Sequence, residues 1–205
     1  MRYSINLHRC SRTDHAYKAI RDQHYIPNRG CIGAQLHYLI EVDGQTVGVI
    51  SGASPAFDVK TRDLYFGLSA DPGRKGAQLK HLFANNVFRL EVHPPNLGTQ
   101  VLALWRRTVV RDFQATYNRE LVGLESFIEP SECRHGALYR ADNWLQVGIT
   151  AGAARRQHGI RCNGQHSVSR VKTSRKLVMV RWVGKHRALP PVTWKVQPSL
   201  FDKVI

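Results

Sequence analysis

The spacing of apolar and polar positions predicts a succession of short strands and helices. Residues 35–42 and 45–51 alternate at period two around Asp43-Gly44, a pair suited to a two-residue type I′ turn, so a β-hairpin is expected there. Residues 97–113 place Leu97, Val101, Leu104 and Trp105 on one face and give the best helix. A second helix is expected over 11–25. Ser11 or Thr13 would cap it, Asp14 lies in its first turn, and Tyr17, Ile20 and His24 share a face before Pro27, Asn28 and Gly30 break it. Further strands are expected at 63–68, 85–92, 121–128, 144–149 and 176–183, a loop at 71–76, and short helices at 78–84 and 136–143. That order describes an α+β, or mixed α/β, fold with helices on the faces of one sheet.

The junction between strand 85–92 and the long helix carries the first chemical signal. Pro94 and Pro95 cannot extend a strand ladder, so the chain turns there. Asn96 is a good N-cap, and Gly98, Thr99 and Gln100 leave the first helical amides reachable by a phosphate, pyrophosphate or carboxylate. An ordinary strand-to-helix turn has the same pattern.

Charge narrows the partner. Lys and Arg number 30 against 15 Asp and Glu, a net charge of +15, which favours a polyanion. Residues 143–201 hold no acidic residue but contain Arg155, Arg156, Arg170, Lys172 and Arg175, among other cations. A solvated face usually mixes signs, so this stretch reads as a loop-like arm tracking a phosphate backbone. Membrane association is the weaker alternative, because no apolar run approaches the ~20 residues of a spanning helix and no signal-peptide pattern opens the chain. Cys10, Cys31, Cys133 and Cys162 form no CxxC pair, which fits a reducing cytoplasm. Ten histidines occur without HxH or HxxxH spacing, and no metal site is expected.

Two resemblances sharpen the expectation. The anion-holding helix start after a central strand, with Gly136-Ala-Leu-Tyr-Arg-Ala-Asp-Asn-Trp144-Leu-Gln-Val-Gly148, resembles the Gcn5-related N-acetyltransferases. In that fold a central strand splays from its neighbour and the next helix start receives the coenzyme A pyrophosphate. Here Asn143 stands where a glycine is usual, and the Gln/Arg-x-x-Gly-x-Gly/Ala loop is incomplete. The narrower resemblance spans about residues 23–183. His24-Tyr25, Gln35-Leu-His-Tyr-Leu-Ile-Glu-Val-Asp-Gly, Phe88-Arg89-Leu, Pro95-Asn96, Ser126-Phe and Gly136-Ala-Leu-Tyr-Arg-Ala occur in the order seen in the phage Mu Mom DNA-modification family. The same set looks like Druantia-type anti-phage proteins.

The resemblance implies an acyltransferase-like core over 1–150, followed by a basic arm and C-terminal strands over 151–205 that pack on it. It also implies a transferase adding a carbamoylmethyl-type group to adenine N6 in double-stranded DNA and shielding phage DNA from restriction, with an acyl-CoA or related acyl or aminoacyl donor. His24 is then the base candidate, since imidazole titrates near neutrality, and Tyr25 a stacking or hydrogen-bonding partner. Arg89 would grip donor carboxylate, carbonyl or phosphate; Ser126 would bind the transferred group; Tyr139 would act as general acid. Asn96, Gly98 and Thr99 would hold the donor. His37, Tyr38, Arg140, Arg155, Arg156, Lys172 and Arg175 would contact substrate DNA, with Glu125 and Glu129 as spare bases. Each has a structural alternative: an Arg89–Glu91 pair, a core tyrosine, a satisfied sheet serine, a helix-end histidine. An acyltransferase acting on a protein, tRNA or small amine, or a non-catalytic DNA-binding defence component, are the competing functions.

Overall fold

The structure, a computed structural model, describes residues 3–25, 31, 33–131, 134–152 and 174–186, and the backbone of 154–160 and 166–172. Strands β1 (Ile5–Cys10), β2 (Gln35–Val42), β3 (Gln45–Ala53), β4 (Leu82–Leu90), β5 (Gly123–Ile128), β6 (Leu145–Ile149) and β9 (Leu177–Trp182) form one sheet in the order β1-β2-β3-β4-β5-β9-β6. Strands β7 (Ala154–Ile160) and β8 (His166–Lys172) pair separately. Within the large sheet only β4 and β5 run parallel, so a crossover must join them. The crossover is helix α4 (Leu97–Tyr117).

Helix α4 makes the main core. Leu97, Val101, Leu102, Trp105, Val109 and Phe113 are buried against Leu36, Tyr38 and Ile40 of β2, Ile50 of β3 and Phe83 of β4. Each such side chain stabilises the fold by about 1.5–3 kcal/mol. The opposite face carries α1 (His15–Arg21), whose Tyr17 packs on Val49 and Val87, then α2 (Lys60–Phe66) and α3 (Pro72–Leu79) over Val122, Val178, Val180 and Trp182. Helix α5 (Ala137–Ala141) returns to the α4 face, where Leu138 meets the main core.

The hairpin, the long helix and the strands near 85–92, 121–128, 144–149 and 176–183 match the sequence expectation. Asp43 and Gly44 have φ of 50° and 83°, as a type I′ turn requires. Other expectations fail for local reasons. The strand expected at 63–68 is α2, closed by Gly67 at φ 67°. Phe66 is anchored edge-on against Trp182, so tertiary packing overrides the apparent alternation. The loop expected at 71–76 is α3, capped by the Asp71 carboxylate accepting from Arg74 N at 2.8 Å, with Pro72 at the first helical position. The helix expected at 78–84 divides between the end of α3 and the start of β4. The first helix shortens to seven residues from Asp14, which leaves His24 and Tyr25 beyond its end. Leu102, not Leu104, faces the core, and the unforeseen β1 borders β2. The basic arm is a paired ribbon over 154–160 and 166–172 rather than a loop, and β9 sits inside the large sheet.

Gly52 lies where a side chain has no room: an added Cβ would stand 2.1 Å from the ring of fully buried Phe83. Gly52→Ala should therefore destabilise the fold by about 1–3 kcal/mol, read by urea unfolding. An unchanged midpoint would show that the ring can move aside.

Candidate functional site

The β4–β5 pairing ends early. Leu82–Asn85 of β4 match Gly123–Ser126 of β5; beyond that, β4 continues beside β3 while β5 follows β9. The opening between them holds a cavity of about 320 Å³, reached by Asn86, Phe88 and Leu90 from β4 and by Phe127 and Ile128 from β5. A register shift places Ser51 opposite Val87 but Gly52 opposite Asn85, so Asn86 is an extra residue in β4. Strict alternation would put Asn85 and Val87 on one face. The bulge separates them: Asn85 reaches α5, whereas Val87 packs under α1.

One wall is a hydrogen-bonded set. Asn85 Nδ2 donates to the Ser51 and Val87 carbonyls at 2.8 and 3.1 Å, which aims its Oδ1 at Tyr139. The Tyr139 hydroxyl donates to that oxygen at 2.6 Å, and Ser126 Oγ lies 3.1 Å from both the Tyr139 hydroxyl and the Asn85 carbonyl. Burial raises the Tyr139 hydroxyl above its ordinary value, so it stays protonated across the physiological range. Below it, Trp144 stands edge-on to the Tyr139 ring at 5.1 Å and donates to Asp142 at 3.0 Å, while Arg106 of α4 grips the same carboxylate at 3.0 and 3.1 Å. Asn143 takes φ 56°, supplying the left-handed turn a glycine gives elsewhere.

The other wall is aromatic and cationic. His24 and Tyr25 have ring centroids 4.5 Å apart, and the Arg134 guanidinium sits 4.2 Å from the Tyr25 ring centre. Burial raises the Tyr25 hydroxyl, opposed by Arg134. His93 and His135 complete this side, and no carboxylate lines the cavity among the described residues. Asn86 Oδ1 is buried without a hydrogen-bond partner among the described residues, while its Nδ2 donates to Cys31 Sγ at 2.9 Å. An orphan acceptor of that kind costs about 1–3 kcal/mol until a donor arrives.

The structure therefore gathers His24, Tyr25, Ser126 and Tyr139 around one cavity. Arg89 stays outside it: its guanidinium donates to Glu91 at 2.6 Å and to the Gln23 carbonyl and side-chain oxygens at 2.8 and 3.2 Å. It pairs as its structural alternative described, and it fixes the segment that bears His24. His37 and Tyr38 also lie elsewhere. Tyr38 is core, donating to Asp112 at 3.0 Å; His37 meets Tyr17 and Ser51 at 3.1 Å under α1, its imidazole pKa lowered by burial and by Arg12 and Arg21. Arg140 and Arg175 are exposed, and the side chains of Arg155, Arg156 and Lys172 lie outside the described residues.

At the α4 start, Asn96 occupies the N-cap position as expected, but it adopts φ 63° and its side chain makes no cap bond. The Leu97 amide donates to Pro94 and Gln100 to Asn96, which leaves the Gly98 and Thr99 amides as first-turn donors without an intrahelical partner. Gly98 also lets Leu138 approach, since a Cβ there would lie 2.5 Å from its Cδ1. The spare base Glu125 faces away, fully buried on the α2 side and bonded to the equally buried Arg62. Glu129 contributes its backbone carbonyl to Arg134. Asn85, Asn86, His93, Arg134 and His135 were missed from sequence; two adjacent asparagines inside an apolar strand were the available signal. No group of three or more His, Cys, Asp or Glu suited to a metal occurs among the described residues, and none of the described helices is long and apolar enough to cross a membrane.

Burial pushes Glu125 up to about 7 against the pull of Arg62. A carboxyl raised above its unfolded value of 4.5 keeps a proton that the unfolded chain has lost, so its contribution is full below that pH and falls as pH climbs to about 7. Between about pH 5 and 8, the unfolding midpoint should fall relative to that of Glu125→Gln. Parallel midpoints would place the ionised form in the fold throughout.

Comparison with known proteins identifies the lineage. The family model for the Druantia protein DruA matches residues 4–163. The chain belongs to the DruA family. No curated protein matches it. Among solved structures, this DruA-family chain is similar to a Bacillus subtilis acetyltransferase in complex with CoA, at 7% identity and TM-score 0.52, covering 89% of this chain and 99% of that one. A GNAT family acetyltransferase from Elizabethkingia anophelis with acetyl-CoA bound gives 10% identity and TM-score 0.48, covering 87% and 98%. The microcin C7 self-immunity acetyltransferase MccE gives 9% and 0.42; 73% of this chain matches, spanning 61% of that protein. The fold, a mixed sheet with helices on its faces, is like that of the Bacillus subtilis acetyltransferase.

Proposed function

We propose that this protein transfers an acyl group from a thioester such as an acyl-CoA to the N6 amine of adenine in DNA, forming the amide as the thiolate leaves, and that it does so within bacterial anti-phage defence. The composition of the cavity carries this reading. A protonated polyamine or lysine would enter past Arg134 and find no carboxylate among the described lining residues. A nucleobase finds the Tyr25–Arg134 pair, which suits a flat π-system, on a chain of net charge +15. Membership of the DruA family favours defence over the protection of phage DNA, and the motif order shared with the Mom type supports adenine as target.

The amine is a poor nucleophile in the stack, so the base must be extruded before reaction. Tyr25 and Arg134 hold its face, Asn86 Oδ1 accepts one N6 hydrogen, and His24 takes the other as the new bond to nitrogen forms. Tyr139, held protonated, turns its one proton from Asn85 Oδ1 towards the negative charge developing on the departing group. A donor such as acyl-CoA fits the splayed strands as an anion-bearing arm. The Gly98 and Thr99 amides would hold its charge, and it supplies the electrophilic carbon.

Tyr25→Ala and Arg134→Ala should each weaken binding of adenine-containing single strands by about 1–3 kcal/mol, or roughly 5- to 150-fold, in fluorescence titrations. Binding that ignores both substitutions would remove the base from this wall.

A further inference from the structure

β7 and β8 pair with each other and with no third strand among the described residues. A two-stranded ribbon alone in water is marginal. Its register also divides the residues into two unlike faces, because directly opposed residues share a face and alternate pairs repeat it. Arg156 is opposed to Arg170, and the pairs Ala154–Lys172, His158–Val168 and Ile160–His166 fall on the same face. The other face has Arg155 with Val171, Gln157 with Ser169 and Gly159 with Ser167. Like charges directly opposed are destabilising. Residues 143–201 offer no Asp or Glu to offset them. A polyanion would supply counter-charge to such a face.

We infer that the β7–β8 ribbon is a groove-binding element for duplex DNA, which meets the duplex through the Arg156–Arg170–Lys172 face. The dimensions agree: strands of seven residues extend roughly 23 Å, and the B-form major groove, about 12 Å wide, admits a two-stranded ribbon. The narrow major groove of an RNA helix does not. The inference rests on DNA being the acceptor. It adds a holding contact separate from the cavity that takes the extruded base.

Full-length protein titrated with a labelled duplex of about two helical turns tests it. Arg156→Ala with Arg170→Ala should weaken binding at least about tenfold and lower the salt slope by about 1.8, since each lost phosphate contact removes about 0.9. Arg155→Ala should stay within about twofold, and the matching RNA duplex should bind about tenfold less tightly. The inference fails if the double variant binds normally, if Arg155→Ala costs as much as Arg156→Ala, or if RNA binds as well as DNA. Binding is read without turnover, so the two readings fail separately. A protein that binds through this face but modifies nothing overturns the transfer reading; one that modifies DNA with the double substitution unimpaired overturns the ribbon.

Discussion

Tyr139→Phe should lower the rate of base modification by about 10²- to 10³-fold while the protein stays folded and still binds DNA. The phenol is the one protonated donor that Asn85 and Ser126 hold at the cavity wall, and burial keeps its proton in place. A phenyl ring preserves the edge-on packing with Trp144 and removes only the hydroxyl. Asn85 Oδ1 then loses a donor at about 1–3 kcal/mol, a loss that a domain of ordinary stability survives. Because the hydroxyl lies above its ordinary value of 10, it adds no ionisation to the pH–rate profile below that pH. Wild-type rates from the Phe variant would show that the hydroxyl is structural.

The largest effect on stability is expected from Arg62→Ala, at about 3–5 kcal/mol near pH 8. Arg62 is fully buried; it binds Glu125, donates to Asp63 at 2.6 Å, and reaches the Ala56 and Phe57 carbonyls at 2.7 and 3.4 Å. Lys75 extends the network, 2.6 Å from Asp63 and 2.9 Å from Asp58. Without Arg62, Glu125 is a buried carboxyl with no cation against it, and two backbone carbonyls lose their donor. At about pH 5 Glu125 escapes by holding its proton, so the loss should be smaller there. Denaturant unfolding at both pH values reads this directly, and an equal loss at each would show that Glu125 does not titrate in the fold.

The parts of the fold legible in the sequence are those whose signal is local. Asp43-Gly44 encodes its turn, and a long apolar face encodes α4. The α2 helix was hidden because seven residues give too little periodicity and Phe66 owes its place to Trp182, far along the chain. The α3 start was legible in Asp71-Pro72, but Gly73 and Gly76 made it read as a loop. Tyr139, Ser126, His24 and Tyr25 line one cavity and Arg89 does not, since one bulge at Asn86 changes which side of β4 each residue serves. The charge of the arm was plain in composition. Its division into two faces depends on the pairing of Arg156 with Arg170, which no count of lysines and arginines contains.

Plasmid DNA from bacteria expressing the protein, digested to nucleosides and weighed by mass spectrometry, should contain a heavier deoxyadenosine that is absent when Tyr139→Phe is expressed instead. The added mass names the transferred group. Unmodified deoxyadenosine in cells that hold folded, DNA-binding protein would contradict transfer to DNA.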